Sequence, residues 1–143
     1  MKKLRPERLV GCTFQGVTPL GTSYITINER TIGEPFEVFV NCAKAGSETA
    51  AVAEALGRLI SLVLRIDVTA SQRVRLSEVQ RQLAGIGSGH FRLDNPMQVF
   101  SLADAIARPL NQYLNDTEDH IESTQTSLGT GLEDLQADEA DES

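Results

Sequence analysis

Through the middle of the chain, apolar residues recur at helical spacing. Val52, Leu56, Leu59, Ile60, Val63 and Ile66 stand at i, i+4, i+7, i+8, i+11 and i+14. This predicts one long amphipathic helix with that stripe as its buried face. A line of small residues, Ala50, Ala53, Gly57 and Ser61, runs beside the stripe and lets a neighbouring backbone come close. Ser47 is placed to cap the helix, and Glu48 puts a negative charge in its first turn. Glu54 and Arg58, one turn apart with the acid first, mark the solvent side.

Before this helix the period changes to two. Leu9–Gln15, Thr22–Glu29 and Phe36–Asn41 read as strands, rich in β-branched and aromatic residues. Thr18-Pro19-Leu20-Gly21 is a turn sequence, and Glu29–Pro35, with Gly33, reads as a longer connection. In the third strand Phe36, Val38 and Val40 fall on one face and Glu37 and Asn41 on the other. Short links between successive strands predict an antiparallel meander.

After the central helix, a second is expected over Ser71–Ala84. Leu76, Val79, Leu83 and Ile86 form its stripe, and Arg73, Arg75 and Arg81 point away to solvent. A third starts at Ser101, with Asp104 three residues on in capping-box fashion. Leu102, Ile106, Leu110 and Leu114 line it, and Pro109 is expected to kink it or end it early. From Asn115 the pattern is lost and too few apolar residues remain to order the segment. The expected fold is α+β: a three-stranded antiparallel meander followed by three helices, with a disordered acidic C-terminal tail. The divisions are a basic N-terminal arm (1–8), an α+β domain (9–114) and the tail (115–143).

Charge sharpens this division. The net charge of −7 hides an asymmetry, because ten of the 20 acids lie in residues 115–143 and no Lys or Arg follows Arg108. Residues 1–114 carry 13 bases against ten acids, a mildly basic body. The arm, Met1 to Arg8, reads as a solvated terminus; four bases without an aromatic between them give nucleic-acid binding little support. No apolar run is long enough to span a membrane, and no apolar segment follows the basic start as in a secretory signal. Cys12 and Cys42 lie outside any Cys-x-x-Cys spacing, which suits a reducing, cytoplasmic setting. Two Cys and two His in no ligand pattern speak against zinc.

Candidate chemistry is sparse. Lys44, Gly46 and Ser47, at the start of the central helix, form a candidate anion site on free backbone N–H groups. An ordinary capped strand-to-helix turn explains the same residues. Gly85-Ile86-Gly87-Ser88-Gly89-His90 spaces three glycines as in a cofactor loop. It lacks the preceding strand and following acid of a dinucleotide fingerprint, so Gly85 reads better as a helix C-cap. His90 has no nucleophile or orienting acid near it in sequence. Cys12 and Cys42 would serve redox chemistry only if their strands were neighbours; otherwise they are small apolar residues.

Six blocks then fall in a familiar order: Thr18-Pro-Leu-Gly-Thr-Ser-Tyr-Ile-Thr-Ile-Asn-Glu, Pro35-Phe-Glu-Val-Phe-Val-Asn, Lys44-Ala-Gly-Ser-Glu, Ala53-Glu-Ala-Leu-Gly-Arg-Leu-Ile-Ser-Leu, Gln82-Leu-Ala-Gly-Ile-Gly and Ser101-Leu-Ala-Asp-Ala-Ile-Ala. Over Gly11 to Leu114 the chain resembles the TSCPD domain found at the C-terminus of adenosylcobalamin-dependent (class II) ribonucleotide reductases. At the family's Thr-Ser-Cys-Pro-Asp motif this chain has Phe100-Ser101-Leu102-Ala103-Asp104, so only Ser101 and Asp104 match and the motif's cysteine is Leu102. The reductase tail's cysteine cluster is replaced by the acidic tail, and the barrel that holds substrate, radical cysteine and cobalamin has no counterpart. The resemblance implies a detached accessory domain of ribonucleotide reduction, without catalytic residues of its own. It would work with a separate reductase chain, and adenosylcobalamin would belong to that partner. A nucleotide- or phosphate-binding regulatory module is the alternative, and a homo-oligomer is compatible with the exposed edges of a three-stranded sheet.

Overall fold

The structure is a computed structural model that describes residues 1–18, 21–87 and 101–139, with side chains of the last segment described as far as Leu128. Three strands, β1 (Val10–Thr18), β2 (Gly21–Thr31) and β3 (Glu34–Cys42), pair antiparallel in the order β1-β2-β3. Helices α1 (Glu48–Arg65), α2 (Gln72–Leu83) and α3 (Leu102–Glu139) follow. This is the expected meander and three helices.

The strands are longer than their patterns suggested. The expected long connection between β2 and β3 is a tight turn at Ile32-Gly33, where Gly33 takes φ +78° and so needs no Cβ. A register shift around Glu29 absorbs the odd residue. The Thr18 hydroxyl donates to the Gly21 carbonyl (2.9 Å) across the first hairpin. Alternation puts Ile25, Ile27, Phe36, Val38 and Val40 on the buried face of the sheet, while Tyr24 and Phe39 remain partly exposed on the other. Leu76 of α2 and Ile106, Leu110 and Tyr113 of α3 complete the core.

The buried face of α1 follows the expected stripe only in part, at Ile60 and, packed against the core, Leu56. Ala53, Gly57, Ile60 and Leu64 are buried, whereas Val52 and Leu59 of the expected stripe are exposed. The cause lies at the free edge of β3. A Cβ on Gly57 would sit 3.1 Å from the Val38 carbonyl oxygen and 3.2 Å from the Val40 nitrogen, so the absence of a side chain lets the helix backbone close on the strand. One turn on, Ser61 Oγ donates to the Val38 carbonyl (3.0 Å) and accepts from the Val38 N–H (2.9 Å). The small-residue line therefore supplies what an edge strand lacks, hydrogen-bond partners at contact distance. Val52, Leu59 and Leu62 are turned outward. Replacing Ser61 by Ala leaves both Val38 groups unmet and is expected to cost about 1–3 kcal/mol in urea unfolding. An unchanged midpoint would show that water replaces the hydroxyl.

Two of the three arginines expected to face solvent on α2 are structural clamps. Arg75 donates to the Val63 (2.5 Å) and Ile66 (2.9 Å) carbonyls and so satisfies the C-terminal end of α1. Arg73 donates to the Leu114 carbonyl (2.8 Å) and to Thr117 Oγ1 (2.5 Å), tying α2 to α3. Arg81 alone keeps to the surface, paired with Glu78. Ser71 caps α2, and Gly85, at φ +74°, follows its C-cap as expected.

Pro109 lies inside α3 without ending it. Its flanks, Ala107 and Leu110, are fully buried, and packing outweighs the one lost backbone bond. The domain end read at Leu114 also falls within this helix. Leu114 and Ile121 are seven residues apart and share a face, and Ile121 lies directly over Gly33 of the second hairpin. Residues 122–128 are exposed.

Candidate functional site

The N-terminal arm, expected to be solvated, is docked. The Lys3 N–H donates to the Arg65 carbonyl (2.8 Å) and the Asp67 N–H to the Met1 carbonyl (2.9 Å), so the arm closes the end of α1. The Arg65 guanidinium donates back to the Lys3 carbonyl (2.9 Å) and lies over the Phe36 ring, 4.9 Å from its centroid. Arg5 then reaches Glu37 with two bonds of 2.9 Å, and Asn28 Nδ2 donates to the same carboxylate at 2.9 Å. Glu37 is only 4% exposed, although it lies on the strand face opposite Phe36, Val38 and Val40, as sequence alternation placed it. Nothing in the local sequence pattern links position 5 to position 37.

Burial pushes the Glu37 carboxyl upward, but the Arg5 guanidinium and the Asn28 amide outweigh it and hold the group below the ordinary glutamate range. A carboxylate depressed in the folded state stabilises the protein above its unfolded value and loses that contribution as pH falls through the folded value. Arg5→Ala is therefore expected to lower the melting temperature at neutral pH. The gap from wild type should shrink as pH falls below the ordinary glutamate range and Glu37 protonates. A gap of constant size across that range would show that Arg5 acts by packing alone.

Between α1 and β3 lies an open groove of about 1030 Å³. Its floor is the backbone of Val38, Val40 and Cys42 with Gly57 and Ser61, and Leu59, Leu62 and Phe39 stand along its rim. Lys2, Arg5, Arg58 and Arg65 face it against Glu37 and Glu54. Arg58 is paired with Glu54 (2.6 Å), as the sequence spacing implied. These groups offer apolar contact and hydrogen bonds at a basic rim, the means of a binding surface.

The three residues of the candidate anion site divide. Gly46, at φ +81°, and Ser47 line one end of the groove, and Lys44 is exposed outside that lining. The Ser47 hydroxyl accepts from the Ala50 N–H (3.1 Å) and its own N–H donates to the Lys44 carbonyl (3.1 Å). Both Ser47 groups thus serve the cap. His90 lies outside the described residues.

Cys12, exposed, and Cys42, buried, lie on the same side of the sheet but on β1 and β3, with β2 between them. Cys12 is level with Val38, four residues from Cys42 along the strand. That is about 16 Å, far beyond the reach of a disulfide. Burial and the carboxylates of Glu29 and Asp116 push the Cys12 thiol up, away from the reactive thiolate. Glu29 in turn accepts from the Tyr113 hydroxyl (2.6 Å) and the Gly33 N–H (3.0 Å), which fixes the second hairpin beneath α3. Among the described residues no group of three His, Cys, Asp or Glu side chains could hold a metal ion. No helix among them is long and apolar enough to cross a membrane.

At the start of α3 the two motif residues singled out in the sequence act together. Ser101 Oγ accepts from the Asp104 N–H (3.2 Å) and donates to the Ile86 carbonyl (2.5 Å). Asp104, 5% exposed, accepts from the Gly85 N–H (3.0 Å) and from Arg108. The Ser and Asp therefore fasten the end of α2 to the beginning of α3. Leu102, at the motif's cysteine position, packs against the core. The family model described as the TSCPD domain matches residues 1–114. No curated protein and no solved structure matches the chain. A match over 114 of 143 residues makes this chain a member of the TSCPD domain family.

Proposed function

We propose that the chain is a stand-alone accessory domain of ribonucleotide reduction, which acts by binding a separate adenosylcobalamin-dependent reductase chain. The family match over residues 1–114 is the observation that carries this reading. The outward row of α1 agrees with it. Leu59 is 59% exposed and adjoins Leu62 and Phe39 on the groove rim, apolar surface that the fold itself leaves unused. Adenosylcobalamin, nucleotide and radical would belong to the partner, in the cytoplasm. The alternative, a phosphate-binding regulator at Lys44, Gly46 and Ser47, draws less from the geometry because the Ser47 groups already serve the cap.

Calorimetric titration of the chain with a purified class II reductase lacking this domain tests the reading. Binding with Kd of about 10 μM or tighter, weakened in Leu59→Asp, is the expected result. No binding at that concentration would contradict it. Heat with nucleoside triphosphates alone, lost in Lys44→Ala, would favour the regulator instead.

A further inference from the structure

The two edges of the sheet are treated unequally. At β3 the Val38 N–H and C=O point away from β2 and end on Ser61, with α1 closed over them. The register carries this orientation across the sheet. Val38 pairs with Ile27 and Ile27 with Cys12, so the N–H and C=O of Cys12 face β2, and those of Gly11, Thr13, Gln15 and Val17 face away from it. All four residues are exposed, and among the described residues no bond reaches their outward amides. The nine residues of β1 include no charge and no proline, and their pairing with β2 runs without a bulge. These are the devices by which an edge strand is ordinarily kept from pairing.

We propose that β1 pairs antiparallel with β1 of a second copy of this chain, joining two three-stranded sheets into one of six strands. The two-fold axis passes by Phe14. This register sets Gly11 against Val17 and Thr13 against Gln15 of the second copy, so every outward amide meets another outward amide. An identical uncharged strand meets it without like-charge repulsion, which a strand of charged sequence would not allow. The groove on α1 and β3 lies at the opposite edge of the sheet and stays open in the dimer, so this proposal is independent of the accessory role.

Sedimentation equilibrium of the full chain, with amide hydrogen exchange at low and high concentration, tests it. The expected mass is twice 15.6 kDa. Protection at Thr13, Gln15 and Val17 should rise with concentration, while Phe14 and Gly16 stay protected throughout. Gln15→Pro removes an outward N–H and no bond to β2, and Val17→Lys places a charge on the edge. Each should raise the dimer Kd at least about tenfold. A wild-type chain that stays monomeric at about 100 μM overturns the proposal. So does a dimer whose outward amides exchange freely, or one that both variants leave intact.

Discussion

Leu64→Ala is expected to destabilise the protein by about 2–5 kcal/mol, whereas Leu59→Ala, five residues away on the same helix, should stay within about 0.5 kcal/mol of wild type. The two residues are chemically identical, and their surroundings are opposite. Leu64 is 0% exposed and packs with Ile25, Ile27 and Val38, so truncation opens a cavity that the sheet cannot collapse into. Leu59 lies on the groove rim, where truncation removes little that folding had buried. Urea unfolding of both variants checks this. Equal losses would mean that α1 packs by its stripe of large residues and not by its small-residue line.

The second large effect is expected at Gly11. A Cβ there would stand 2.2 Å from the Ile27 carbonyl oxygen and 2.7 Å from the Asn28 Cα. Both are backbone atoms of the central strand, and neither can turn aside as a flexible side chain would. Gly11→Ala must therefore spread β1 from β2 at its start. A loss of about 3 kcal/mol is expected, at the upper end of the usual cost of overpacking. Thermal unfolding measures it, with protection of the Cys12 amide as the local readout. A stable variant with Cys12 still protected would show that β1 enters the sheet later than Val10. Gly21 and Gly46 take positive φ with nothing near their missing Cβ atoms, so Gly11 is constrained by contact where they are constrained by conformation.

Much of this fold was legible in the chain because its local signals agree. Period-two runs gave the three strands, Ser47, Ser71 and Ser101 gave the starts of the helices, and Gly85 gave the end of the second. The failures share one origin, in that each depended on a distant partner. The buried face of α1 was set by the hydrogen-bonding needs of the β3 edge, which hydrophobic periodicity does not register. Arg73 and Arg75 looked solvated because arginine usually is, yet Arg75 meets the carbonyls at the end of α1 and Arg73 meets the Leu114 carbonyl and Thr117 hydroxyl of α3. Alternation put Glu37 correctly on the face opposite Phe36, Val38 and Val40, but did not show that Arg5, 32 residues earlier, covers it. One signal was present in the sequence: a serine and a glycine, Ser61 and Gly57, kept inside a helix that otherwise favours large apolar residues.

The candidate site was legible to a lesser degree. Gly46 and Ser47 were found, and they do border the groove, but as the capped end of α1. The rim of Phe39, Leu59 and Leu62 joins a strand to a helix through the fold and has no counterpart as a contiguous motif. Ser101 and Asp104, the two positions singled out by the resemblance, hold α2 to α3, a structural duty that needs no cysteine at Leu102.

On the reading proposed above, this domain serves ribonucleotide reduction by contact, with the chemistry carried by another chain. Deoxyribonucleotide formation by a class II reductase lacking the domain, assayed with adenosylcobalamin in the presence and absence of this chain, tests it most directly. The expected result is a turnover rate that rises with added chain and saturates, no turnover by the chain alone, and loss of the increase with Leu59→Asp. A rate that the chain leaves unchanged, or turnover by the chain without the reductase, would contradict it.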